Sequence, residues 1–183
     1  HASAGRDEIA EWEPYALSIL TGVLDGGRAA RFERELVREK KIASSIGTDY
    51  SAISRSPTLL TIEGTPANGH TTAELEQAIR AQIERIRNEP VSADELKRIK
   101  AQVVAGNVYS RDSVFYQAMQ IGRLVTVGLD WHLLDDYVKN LNAVTAQQVQ
   151  TVARKYLVDA NLTVTTLDPQ SMGKGKPRAA PRM

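Results

Sequence analysis

Imidazole is the commonest metal ligand and a base near neutral pH, so the three histidines, His1, His70 and His132, are the first side chains to test for chemistry. His70 stands four residues before Glu74, and His132 three before Asp135; either spacing could put two ligands on one helix face. A two-ligand fragment arises readily by chance, however. His70 lies in the Asn68-Gly69 loop ahead of a helix cap, and His132 follows Trp131 at a helix start. Both read as surface histidines, with no metal held by this chain.

Other chemistries find less to work with. The absence of cysteine excludes disulfides, thiolate zinc sites and a cysteine nucleophile together. Serine is abundant, but no Gly-x-Ser-x-Gly elbow presents one as a nucleophile. Gly22, Gly26 and Gly27 lack the following Lys-Ser/Thr of a phosphate loop and sit between helices rather than after a strand. Glu33, Glu35 and Glu39 alternate with Arg34, Arg38 and Lys40, which reads as a salt-bridged exposed helix face rather than an acid/base pair. By spacing alone the chain has no active site.

Composition narrows the class. With 183 residues, 42% hydrophobic and 25% charged, the chain fits one globular domain with a core of its own. No apolar run approaches the roughly 20 residues of a membrane span. The net charge of +1 is unevenly placed: residues 168–183 hold Lys174, Lys176, Arg178 and Arg182 against Asp168. The remaining 19 basic and 21 acidic residues offer no excess of positive charge to collect phosphates, so nucleic acid is not expected as a partner. The chain opens HASAGRDE, without an initiator methionine or an apolar leader, and is expected to be a fragment or processed product.

The elements that must position any site are legible from their ends. Thr71 with Glu74, Ser92 with Glu95, and Thr145 with Gln148 form capping boxes. The second and third add hydrophobic staples, Val91 with Leu96 and Val144 with Val149. Pro90 disfavours continuing the preceding helix through Glu89. Leu75, Ile79, Ile83 and Ile86 make one apolar stripe. Further helices are expected over Asp7 to Leu24 despite Pro14, Arg28 to Lys40, Ser92 to about Ser110, Ser113 to Val127, Trp131 to Leu141, and Ala146 to Tyr156. Strands are expected over Ile42 to Ala52, Thr58 to Gly64 and Leu162 to Leu167, with Ser54 to Pro57 turning a hairpin between the first two. Together these predict an α+β fold of two layers: a mostly antiparallel sheet with helices packed on one face. The domain is expected to span 1–167, followed by a disordered basic tail over 168–183.

The order of these elements carries a resemblance. Leu20 to Ile46 reads LTGVLDGGRAARFERELVREKKIASSI and resembles the signature of the pitrilysin/insulinase family of zinc metallopeptidases, which includes the mitochondrial processing peptidases. Laid over that signature without gaps, Arg31 and Phe32 stand at its Arg-Leu, Glu35 and Leu36 at its Glu-Leu, Lys40 in its basic cluster, and Ile42 and Ala43 at its Leu-Ala. The later stretch is similar to the family's closing helices, from the capped Val91-Ser92 through Asp112-Ser113 to the Val-Thr-x-x-x-Val-x-x-Val-Ala of Val144 to Ala153.

The resemblance implies a function. Family members are hinged pairs of homologous α+β halves enclosing a chamber. One half holds zinc on a His-x-x-Glu-His helix, where the metal polarises the scissile carbonyl and activates water. Extended peptide adds to a sheet edge. This chain has no His-x-x-Glu-His, so it resembles the C-terminal, metal-free domain of a bacterial member, with zinc expected in the companion domain. Alone it is expected to cleave nothing. It would form the chamber wall and contact the extended peptide substrate.

Many metal-free halves carry an Arg and, seven residues on, a Tyr that hold the peptide; those substrate-binding positions are here Val37 and Ser44. Neither can reproduce the missing hydrogen bonds over the same reach. The double substitution implies a domain that follows a zinc-bearing domain in the same polypeptide, with a partner subunit supplying Arg and Tyr. The resemblance implies an extracytoplasmic, periplasmic bacterial setting by analogy. It leaves one alternative open, a structural or assembly subunit related to peptidases but without proteolytic activity.

Overall fold

Pro14 decides where the first helix begins. In the computed structural model, which describes residues 9–54, 56, 58–111 and 113–167, helix α1 runs Glu13–Asp25 with the proline in its first turn. The expected start at Asp7 is therefore corrected: residues 9 and 10 are not helical, and Asp7 and Glu8 lie outside the described residues. Proline is pre-set for a first turn, where its missing N–H is no loss. Along α1, Ala16, Ile19, Leu20, Val23 and Leu24 are wholly buried, making it the central helix of the fold.

A π-helix spans Phe32–Glu39, where the sequence pattern predicted an ordinary helix. Its hydrogen bonds run i→i+5, so its side chains are distributed differently from α spacing. It closes with Lys41 at positive φ (54°), a left-handed position that glycine usually takes, and the Ile42 amide donates to the Leu36 carbonyl at 2.9 Å. The chain leaves this turn directly into strand β1.

Strands β1 (Ala43–Asp49) and β2 (Thr61–Pro66) pair antiparallel, the only strands among the described residues. Their pairing breaks between Ala43 and Ser45, leaving Ser44 as a bulge. The bulge shifts the alternation of faces: Ala43 and Ile46, three apart, both turn inward. Opposite Ile46 stands Gly64, where an added Cβ would come within 3.0 Å of the Leu75 side chain. The outer face carries the cross-strand pairs Ser45 with Thr65, Gly47 with Glu63, and Asp49 with Thr61. β1 is shorter than expected, and β2 starts three residues later than expected but runs on to Pro66; Tyr50 and Leu60, just outside the pairing, pack against the larger apolar cluster. In the turn expected at Ser54 to Pro57, Arg55 and Pro57 lie outside the described residues.

The remaining helices follow their caps: α2 (Thr72–Asn88), α3 (Ala93–Arg111), α4 (Val114–Thr126), α5 (Leu133–Ala143) and α6 (Ala146–Tyr156), then one 3₁₀ turn over Asp159–Asn161. All three capping boxes form. Ser113 caps α4, and Gly128 ends it in a left-handed turn with the Leu129 amide bonded to the Leu124 carbonyl. The run Leu162 to Leu167 is not a strand. Among the described residues no further strand lies beside it to complete a ladder, and Leu167 is 87% exposed. The expected tail, 168–183, lies outside the described residues.

Two apolar clusters hold the layers together. The larger joins α1 to α2, α3, α5 and α6 through Ile19, Leu20, Ile86, Ile99, Leu141 and Val149, all at most 1% exposed. The smaller, built on Leu24, Phe32, Leu36, Ala43 and Leu75, seats the π-helix and the inner face of the sheet. Each of the Val, Leu, Ile and Phe side chains contributes roughly 1.5–3 kcal/mol by leaving water. The architecture is the expected α+β fold with helices over the inner sheet face.

Candidate functional site

The π-helix and β1 bring Val37 and Ser44, the two expected substrate positions, onto consecutive elements. Val37 packs half-buried against the smaller apolar cluster. Ser44 is exposed at the bulge, and its hydroxyl lies 3.2 Å from the Thr65 carbonyl and 3.4 Å from that of Pro66. One side chain is thus committed to packing and the other to the neighbouring strand.

What fixes this segment is ionic. Arg31, just ahead of the π-helix, reaches α3: its Nε and Nη2 donate to the two Glu95 oxygens at 2.9 and 3.0 Å. Glu35 reaches α2, accepting from Gln82 at 2.7 Å and Arg85 at 3.0 and 3.2 Å, and from its neighbour Arg34 at 2.7 Å. The exposed-face reading of the glutamates is corrected for Glu35, which is only 9% exposed. The π winding turns it inward, where it becomes the hub of a tertiary network. At the strand's far end, the Thr48 amide donates to the Asp25 carboxylate at 2.8 Å, tying β1 to the end of α1.

A second buried acid joins the two chain-distant ends of the helical layer. Glu13 accepts from Lys155 at 2.9 and 3.0 Å and from the Tyr156 hydroxyl in a short contact. Neither network was visible in the sequence. The one available signal was Gln82, a polar residue interrupting the Ile79–Ile86 apolar stripe.

The charges in these networks are held ionised. Burial pushes Glu13 and Glu35 up, but their hydrogen bonds outweigh it and both carboxyls end below the ordinary range. The Arg31 hydrogen bonds bring Glu95 down to about 2, against burial and with help from Ser92. A general acid at neutral pH needs the opposite, a raised carboxyl. These are clamps: Glu35 and Glu95 hold the π-helix segment in place, and Glu13 joins α1 to the Lys155–Tyr156 end of α6.

The histidines stay apart. His70 Nδ1 lies 3.6 Å from Glu74, as its spacing allowed. His132 stacks on Trp131 and meets Asp130 at 2.7 Å rather than Asp135. His1 lies outside the described residues. Among the described residues no three His, Cys, Asp or Glu side chains gather as a metal-ligand set, and no helix is long and apolar enough to cross a membrane.

Solved structures share this fold. A protease from Helicobacter pylori superimposes with a TM-score of 0.73 at 23% identity, over 81% of this chain and 36% of that one. The inactive peptidase domain of a candidate zinc protease from Bordetella parapertussis does so with a TM-score of 0.72 at 20% identity, over 83% and 81%. The chain therefore shares the fold of those two structures.

The particular family follows from the sequence: residues 7–103 match the peptidase M16 inactive domain, and the chain belongs to that family. The zinc protease YmxG of Bacillus subtilis (strain 168), itself uncharacterized, is 24% identical over 152 residues, covering 83% of this chain. The chain spans only 37% of that relative's length. The pitrilysin/insulinase resemblance is borne out.

Proposed function

We propose that this domain, residues 1–167, is the non-catalytic half of a zinc metallopeptidase, walling a chamber and meeting extended peptide while a homologous half supplies zinc. The observation that carries it is the state of Val37 and Ser44. The segment bearing them is clamped by the buried Arg31–Glu95 pair and the half-buried Arg85–Glu35 pair, yet one side chain is spent on packing and the other on the adjacent strand. A scaffold built this firmly, with no free hydrogen-bonding arm at position 37 or 44, fits a wall whose peptide-gripping Arg and Tyr come from a partner subunit. Zinc, expected on the companion, would polarise the scissile carbonyl there; this chain's residues hold the strand against which the peptide lies.

The test is reconstitution. The full-length parent is expected to bind zinc and to cleave unstructured peptides only when its Arg/Tyr-bearing partner is added. Cleavage at full rate without the partner overturns the division of labour. A parent that binds no zinc and cuts nothing with any partner indicates an assembly subunit instead.

A further inference from the structure

The only Asn-Gly pair in the sequence, Asn68-Gly69, sits in the turn between β2 and α2. The His70 amide donates to the Ala67 carbonyl at 3.0 Å and closes the turn over the pair. Gly69 holds φ at 89°, in the left-handed region that other residues rarely enter, so the turn itself accounts for the glycine. Both residues of the pair are exposed, and a Cβ built at Gly69 meets nothing within 4 Å. Among the described residues, neither the Asn68 side chain nor the Gly69 N–H takes part in a hydrogen bond.

The other asparagines are placed differently. Asn88, Asn140 and Asn161 donate from their side-chain amides to Glu84, Tyr15 and Tyr156 at 2.7, 3.2 and 3.3 Å. Asn107 and Asn142 lie inside α3 and α5, where the following backbone amide is engaged in the helix. Asn68 alone combines an unbound side-chain amide with an unbound, unhindered N–H on the next residue.

From this placement we propose that Asn68 is a site of spontaneous backbone modification, converting to aspartate and isoaspartate. The Gly69 nitrogen loses its proton to solvent base and attacks the Asn68 side-chain carbonyl carbon. The new N–C bond closes a cyclic imide, and ammonia leaves on taking up a proton. Glycine puts no side chain in the path of that attack. Water then opens the imide: cleaving the new bond leaves aspartate, and cleaving the original peptide bond leaves isoaspartate. Overall one amide and one water become one carboxylate and one ammonium ion, with no oxidant or cofactor. The carboxylate lowers the formal net charge of +1 by one unit. It stands three residues ahead of the Thr71 cap, where the dipole of α2 favours a negative charge, so the fold tolerates it. The Ala67 amide anchors the turn to the Ile42 carbonyl at 2.8 Å. Isoaspartate therefore adds its extra main-chain carbon between that anchor and the α2 cap, lengthening the span from sheet to helix.

The test is to keep the purified chain at mildly alkaline pH and physiological temperature in heavy-oxygen water. Tryptic mapping is expected to show peptide 56–80, whose only asparagine is Asn68, taking up one heavy oxygen and becoming a substrate for isoaspartyl methyltransferase. The same chain unfolded in denaturant gives a reference that needs no variant, and the folded chain is expected to convert at a rate of the same order. Gly69→Ala is expected to slow conversion about tenfold, since the added carbon crowds the attacking nitrogen. A folded chain that keeps its Asn68 amide while the unfolded chain loses it overturns the proposal. So does conversion to aspartate with no isoaspartate, faster conversion at another asparagine, or an undiminished rate in Gly69→Ala.

Discussion

Arg31 and Glu95 meet in a two-pronged ion pair across 64 residues of sequence, Nε to Oε1 at 2.9 Å and Nη2 to Oε2 at 3.0 Å. The arginine side chain is 3% exposed and that of the glutamate 12%. Glu95 is also the third residue of the Ser92 capping box, so one carboxylate starts α3 and anchors the entry to the π-helix. Removing it strands a buried guanidinium. Glu95→Gln is expected to cost about 3 kcal/mol, the usual scale for breaking a buried pair. Arg31→Met combined with Glu95→Leu should recover part of that loss. Urea denaturation of the single and double variants checks the coupling, and strict additivity of the two single losses would contradict it.

Acid should loosen the same joint. Glu95 titrates near 2 in the folded chain and near its ordinary 4.5 when unfolded, so the unfolded state takes up the proton first as pH falls. The stabilisation is complete above about pH 4.5 and drains away toward pH 2, on the order of 3 kcal/mol. Glu13 and Glu35, also lowered, act in the same direction. Urea midpoints followed from pH 6 to 3 should fall, and Glu95→Gln should flatten that slope. A midpoint that holds steady or rises on acidification refutes the assignment.

Gly22 is required by the crossing of α1 and α3. A Cβ there would stand 2.6 Å from Ile99 Cγ2, on a side chain only 1% exposed and unable to swing clear. Gly22→Ala is expected to destabilise by about 1–3 kcal/mol through overpacking. Gly106→Ala, where the added carbon meets nothing within 4 Å, should be neutral or stabilise by up to about 1 kcal/mol. Thermal melts of the pair give opposite signs if the crossing is as described.

The three capping boxes should differ in weight. Thr71→Ala and Thr145→Ala remove an acceptor from one amide each and should cost about 1 kcal/mol apiece. Ser92→Ala should cost more, because its hydroxyl also donates to the Glu95 oxygen that meets Arg31. Equal losses at all three positions, read by chemical denaturation, would show that the cap and the ion pair act separately.

Local chemistry was enough for the parts of this protein that are written locally. Capping boxes, staples and the Pro90 break act within a few residues, so the starts of α2, α3 and α6 were fixed by sequence alone. The ordered match around Arg31 to Ala43 likewise placed the chain in its family. Tertiary structure decided what depends on partners distant in sequence. The π winding carried Glu35 from an expected exposed face into contact with Gln82 and Arg85 on another helix. The bulge at Ser44 set which residues of β1 face the core. Leu162 to Leu167, with strand-like composition but no neighbour among the described residues to pair with, stayed out of the sheet. A backbone hydrogen bond between strands, or a carboxylate shared by two helices, depends on where remote segments come to rest, and no window of a dozen residues contains that.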